Sequence, residues 1–239
     1  MQFDEALRAR MRGNIAAHDR LAIDLDGRRH AAVAVVVVDS DPDAHGQDHT
    51  EVPRDRLAEI PGADGIELTG RVDGTAGGAA VLLTRRAARL RAHAGQWALP
   101  GGRIDEGETP VDAALRELRE EIDLALTAED VLGLLDDYPT RSGYVITPVV
   151  LWGGADPPMA PNPDEVLSVH RISLDELSRD DSPRFVSIPE SDRPVVQLPV
   201  GGDLIHAPTA AVLVQLRWLA LEGRSDRVAE FEQPVFAWR

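Results

Sequence analysis

Cysteine is absent from the 239 residues. That removes disulfides, thiolate zinc sites, iron–sulfur clusters and cysteine nucleophiles together. Lysine is absent too, since all 25 basic residues are arginine. Lysine Schiff bases and the P-loop lysine are thereby excluded, while arginine retains the fixed fork of donors that clamps phosphate. No apolar run reaches the ~18 residues needed to span a bilayer, so no membrane partner is expected. The opening MQFDEALRAR alternates charges without an apolar signal core, which makes a cytoplasmic location the expectation. Positive charge is scarce, with 25 basic against 41 acidic residues and a formal charge of -16. Such a chain repels a polymeric nucleic acid, but a local arginine patch still suits an anionic small molecule. Ser142 belongs to no G-x-S-x-G elbow, so a serine hydrolase finds no support.

What is present describes one large globular domain, with 43% hydrophobic and 28% charged residues. Residues 1–30 read as a helical elaboration, because Phe3, Leu7, Met11 and Ile15 recur every four positions between charges. Residues 31–239 read as the domain proper, with an insertion at about 39–78 that is rich in Asp, Gly, Pro and His and holds one helical turn near Arg54 to Ile60. Ala31 to Val38 is a valine-rich run of the kind buried on both faces of a sheet. Further strands are expected at 79–84, 131–135, 144–151 and 166–172, and helices at 110–122 and 209–221. The stretch from 85 to 102 and the Pro-rich stretches 156–163 and 183–199 are expected to be loops, and the tail to expose its aromatic residues.

The chemistry concentrates in residues 102–124, GRIDEGETPVDAALRELREEIDL. Thr109 as N-cap, Pro110 at the first helical position and Asp112 as capping partner start a helix. Glu117, Glu120 and Glu121 then stand at i, i+3 and i+4, within about 100° of one another. Val111, Leu115, Leu118 and Ile122 gather on a different face. Like charges at these spacings oppose an isolated helix by a few tenths of a kcal/mol, and a hard divalent cation would offset that cost through oxygen ligands. The plain alternative is a solvated acidic face.

The order Gly102, five residues, Glu108, seven residues, Arg116, Glu117, Leu118, one residue, Glu120, Glu121 resembles the signature of the Nudix hydrolases. One position departs, Asp123, where the family pattern has glycine. The resemblance implies an α/β/α sandwich with a mixed sheet and a loop–helix–loop catalytic motif. It also implies that Glu117, Glu120 and Glu121 bind Mg2+ or Mn2+, Glu120 and Glu121 foremost, with the Gly102 backbone close to the metal. Arg116 would orient Glu117 or a neighbour, Glu108 would support the loop, and Gly101 and Gly102 would admit metal and phosphate. Glu165 stands where such enzymes often place a further metal ligand or general base.

Upstream, LLTRRAARLRAHAGQWALPGG at 82–102 is similar to the extra signature of the coenzyme A pyrophosphatase branch, with Leu99 in place of its phenylalanine. SGYVITPVV (142–150) and PDEV (163–166) extend the likeness. The branch implies hydrolysis of coenzyme A or acyl-CoA to 3′,5′-ADP and (acyl-)4′-phosphopantetheine, with Arg86 and Arg91 on substrate phosphates. Arg85, Arg86, Arg89 and Arg91 together would form a basic cluster, and His93 a hydrogen-bonding loop residue. Two rivals stand beside it: cleavage of another nucleoside diphosphate derivative (ADP-ribose, NADH, a dNTP), and nucleotide sensing without catalysis. Family members are often dimers, and the tail FEQPVFAWR offers apolar side chains for a homodimer interface.

Overall fold

A computed structural model describes residues 1–50, 68–87 and 95–238. The helical turn expected near Arg54 to Ile60, and Arg89, Arg91 and His93, lie outside the described residues. The centre is an eight-stranded mixed sheet. Its path β3–β2–β1–β7–β5 is joined by β4 on β1, β6 on β7 and β8 on β2, with β1 and β7 parallel and the other pairs antiparallel. These strands are β1 (Arg29–Ser40), β2 (Gly78–Arg86), β3 (Trp97–Ala98), β4 (Gly101–Arg103), β5 (Val131–Leu134), β6 (Tyr138–Pro139), β7 (Tyr144–Gly154) and β8 (Val166–Ser173). The described parts of the segment expected as a loop after residue 84 are largely strand, because β2 runs on to Arg86 and β3 and β4 pair with β2 and β1.

The valine run explains the two-sided burial. Ala32, Ala34, Val36 and Val38 of β1 point to one core and Val35 and Val37 to the other, as the period of two in a strand requires. The first core is closed by helix α3 (Pro110–Ile122), which contributes Ala113, Ala114, Leu118 and Ile122. The second is closed by α1 (Glu5–Ala17) through Leu7, Met11 and Ile15, and by the C-terminal helix α5 (Thr209–Gln215), continued as a wider π turn over Leu216–Leu221. Two single-turn helices, α2 (Pro42–His45) and α4 (Leu174–Leu177), complete the described α-helices. This is the expected mixed α/β sandwich. Among the described residues no helix is long and apolar enough to cross a membrane.

Two further expectations fail. The stretch 183–199 is not a loop: β9 (Arg184–Ile188) and β10 (Ser191–Val200) pair with β11 (Asp203–His206) in a second antiparallel sheet. Proline misled there, since Pro194 falls within the register irregularity between Ser191 and Val195, a place where a strand tolerates a missing N–H. The tail also folds back. Glu232, Gln233 and Pro234 are buried, Phe231 packs on the second core, and Tyr138 Oη donates to Phe231 O at 2.8 Å. Its apolar side chains are thus largely spent within the same chain.

Candidate active site

The acidic helix begins as its sequence demands. Thr109 Oγ1 accepts from the Asp112 N–H at 3.2 Å, and the Asp112 carboxylate accepts the Thr109 N–H at 3.0 Å. It ends at Asp123, whose φ of 53° and ψ of 33° are left-handed. The residue replacing the family glycine thus takes the conformation that glycine would supply, as Asp can at some cost.

Helical phase then sorts the three glutamates. Glu117 and Glu121, one turn apart, lie on the sheet side; Glu121 is buried and Glu117 nearly so. Glu120 turns outward, with 55% of its side chain exposed. Gly102 pairs with Ala32 directly beneath the helix, and any Cβ there would collide with Glu117 Oε1. A Cβ at Gly101 would collide with Ala32 O and the Val33 Cα. Both glycines are required by close approach, so that a carboxylate rests over bare backbone.

Arg116 organises the rim. Its Nε and Nη2 donate to Glu108 Oε1 and Oε2 at 2.8 and 3.0 Å, Nη2 to Arg103 O at 2.9 Å, and Nη1 to Glu117 Oε1 at 2.8 Å and Glu120 Oε2 at 3.1 Å. Paired in this bidentate way and accepting the Asp105 N–H, Glu108 is held down at about 2. Arg116 thus ties Glu108, Glu117 and Glu120 to one guanidinium.

A third carboxylate faces the pair. The charge of Glu165 is felt by both Glu117 and Glu121. Its loop is docked by Asn162 N–H on Glu121 O (2.8 Å) and Ala160 N–H on Ile122 O (2.9 Å), while Ala87 N–H donates to Glu165 O (2.8 Å). The same link holds the end of β2, whose Arg86 lies close enough to oppose the charge repulsion on Glu121. Arg86 Nε is buried with no partner.

The electrostatic result is a pair of which only Glu117 has a salt-bridge partner, Arg116. Burial, then the Glu117 charge, push Glu121 up to about 8, with Arg86, and the hydrogen bond from the Gly101 N–H, pulling the other way. Burial also raises Glu117, against the pull of Arg116. Among the described residues no three His, Asp or Glu side chains are already gathered as a closed cage. The donor set nonetheless fits a hard divalent ion: two inward carboxylates over bare glycine backbone, all of them oxygen donors.

Of the basic cluster expected at Arg85, Arg86, Arg89 and Arg91, the first two are among the described residues. Arg85 and Arg86 point to opposite faces of the sheet. Arg85 is fully buried in the second core, donating to Asp203 Oδ2 (2.8 Å) and Gly70 O (2.7 Å), with its guanidinium 3.8 Å over the Trp97 ring. Trp97 Nε1 donates to the same Asp203 oxygen at 2.8 Å. Arg85 is therefore a packed structural cation, and Arg86 alone of the described pair faces the carboxylates. The histidines also sort by burial: His206 is a core residue bonded to Gln197 (3.2 Å) and lowered to about 4 by burial.

Residues 71–190 match the NUDIX domain, half of the chain. The chain belongs to the Nudix family. It is 43% identical over 100 residues to an uncharacterized Nudix hydrolase NudL of Cronobacter sakazakii, covering 41% of this chain and 52% of the relative. Over 95 residues it is 43% identical to its Escherichia coli counterpart, covering 39% and 50%. The matched region thus spans about half the length of the curated relatives. A MutT/nudix family protein from Enterococcus faecalis superposes with a TM-score of 0.50 at 17% identity, over 90% of this chain and 74% of that one. That likeness concerns the fold, the Nudix α/β sandwich described above.

Proposed function

We propose that this Nudix chain hydrolyses the pyrophosphate bond of coenzyme A or an acyl-CoA, giving 3′,5′-ADP and 4′-phosphopantetheine or its acyl form. The observation that carries a metal-dependent diphosphate reaction is the buried, mutually repelling Glu117–Glu121 pair over Gly102, with Glu165 and Arg86 facing it. Glu117 and Glu121 would hold Mg2+ or Mn2+ beside the Gly102 backbone, with Glu120 at the rim. When bound, such an ion neutralises phosphate charge and lowers the pKa of water. Arg86 would bind a phosphate oxygen through its guanidinium, Arg116 fixes Glu117, and Glu165 takes the proton of the attacking water. Water adds to one phosphorus in line as the bridging P–O bond breaks, so that one phosphate departs on each product.

The coenzyme A assignment is supported by the 82–102 signature and by SGYVITPVV. Leu99 in place of its phenylalanine supports a second reading, cleavage of another nucleoside diphosphate derivative such as ADP-ribose, NADH or a dNTP. Nucleotide sensing without turnover is disfavoured by the complete set of carboxylates. Incubation with coenzyme A, ADP-ribose, NADH and dGTP, each with Mg2+, Mn2+ or chelator, separates these. Metal-dependent 3′,5′-ADP formation well above the other cleavages supports coenzyme A, another preferred substrate the second reading, and binding without turnover the sensor.

A further inference from the structure

We propose that His30 contacts the substrate of this site, its ring held in one tautomer by a buried relay so that Nδ1 accepts a hydrogen bond from an O–H or N–H of the group esterified to the diphosphate. The inference rests on the diphosphate-cleaving reading of the Glu117–Glu121 site.

The placement follows from strand register. Gly102 pairs with Ala32 on β1, and Ala32 pairs in turn with Thr147 on β7. The missing side chain of Gly102 points at Glu117, and directly paired residues share a face of the sheet. Ala32 and Thr147 therefore share the face that Glu117 overlies. His30 is two residues before Ala32, so it too is on that face and is the diagonal neighbour of Gly102, at roughly 7–8 Å between backbones, within reach of a long side chain. Ile104 N–H donates to His30 O at 3.1 Å, which ties the motif loop down beside it.

The proton bookkeeping is determinate. Asp137 is buried and paired with Arg20, and it also accepts the Ile23 N–H at 2.9 Å. Paired with a guanidinium, it can only accept. Thr147 Oγ1 therefore gives its single proton to Asp137 Oδ1 at 2.6 Å. Its remaining bond, 2.9 Å to His30 Nε2, must then be one that it accepts, so Nε2 carries the hydrogen. An imidazole with its single hydrogen on Nε2 has its acceptor at Nδ1, and that atom has no partner among the described residues. Asp137 is already satisfied without His30. What the chain of bonds adds is the orientation and tautomer of a half-buried imidazole beside the cradle.

The test uses the full chain with coenzyme A and ADP-ribose as probes, each with Mg2+. Long-range 15N–1H NMR, assigned with His30→Gln, should show the Nε2–H tautomer in the free protein, and the His30 Nδ1 resonance should move on adding the better ligand. His30→Gln keeps a group that reaches Thr147 but has no acceptor at the Nδ1 position. It should raise KM about tenfold, one hydrogen bond's worth, with kcat changed less than about threefold. Thr147→Val should lose the fixed tautomer and raise KM similarly, and Thr147→Ser should restore both. If Thr147→Val does not fold, His30→Gln and Thr147→Ser still decide the matter. Turnover with an unmoved Nδ1 resonance and unchanged KM overturns the proposal and leaves the hydrolase reading standing. Ligand-induced movement of Nδ1 without turnover keeps the contact and removes the hydrolase reading. Neither binding nor turnover overturns both.

Discussion

Glu121 and Glu232 are both buried carboxylates, yet the protein treats them in opposite ways. Burial would raise each. Around Glu232 the chain supplies Arg141, Arg193, the Ser191 hydroxyl and the Gln233 N–H. Together they overcome burial and hold the carboxyl at about 2. Around Glu121 it supplies another glutamate at one turn, a third across the cleft and only Arg86 as a counter-charge, and the carboxyl sits at about 8. A buried charge that the fold answers in full is part of the scaffold. One that the fold leaves without a salt-bridge partner, bonded to the Gly101 N–H alone, has its partner elsewhere. Chain position alone would not separate them; their neighbours do.

The largest effect should come from neutralising the unanswered side. Glu121→Gln is expected to lower metal-dependent turnover by at least about a hundredfold, with far-UV circular dichroism unchanged. Glu120→Gln, on the exposed rim, should cost nearer to tenfold. Equal losses at both positions would mean that the inward pair is not the centre of the site.

The adjacent arginines give the next contrast. Arg85→Met leaves the Asp203 carboxylate buried without its cation, and breaking such a pair typically costs about 3–5 kcal/mol. Urea unfolding should register that loss while KM of the folded fraction stays near wild type. Arg86→Ala should do the reverse, with stability within about 0.5 kcal/mol and KM for a diphosphate substrate raised about tenfold.

Acid reads out the answered carboxylate. With its folded value depressed to about 2 and an unfolded value near 4.5, Glu232 contributes stability that is fully present above the unfolded value. That contribution is lost as pH falls from about 4.5 towards 2, because the unfolded chain takes up the proton first. Thermal melts across that range should show a shallower acid slope for Glu232→Gln than for wild type. An unchanged slope would mean that the Arg141 and Arg193 contacts contribute nothing in solution.

The smallest effect concerns an exposed carboxylate next to the buried one. Asp123 pays for a left-handed backbone at φ 53° and places a negative charge at a helix C-terminus. Asp123→Gly should raise stability by about 0.5–1 kcal/mol in urea titrations and leave metal dependence as it is.

Helix α3 was legible to the residue, since Thr109, Pro110 and Asp112 mark its start and Leu118 and Ile122 anchor one face. The valine run likewise announced a central strand. What the sequence did not disclose depended on tertiary partners. The spacing of Glu117, Glu120 and Glu121 gives one cluster; only the placement of Gly102 beneath Glu117 and the burial of Glu121 against the sheet divide it into an inward pair and an exposed rim residue. Alternation along β2 was a signal that Arg85 and Arg86 part company, but which of them enters the core depends on Asp203, 118 residues away. Strands β9 and β10 were hidden by prolines, of which Pro194 sits in an irregular register and Pro199 in a regular pair with Leu204. His30 carried no motif at all, and its relation to the site appears only through the pairing of β4, β1 and β7.

The most direct test of the account is Mn2+ binding, followed by electron paramagnetic resonance on the wild-type chain, Glu121→Gln and Glu232→Gln. The account predicts that wild type and Glu232→Gln bind the ion alike and that Glu121→Gln weakens binding at least about tenfold. Equal binding by all three would contradict the claim that the unanswered carboxylate of the Glu117–Glu121 pair is kept for a cation.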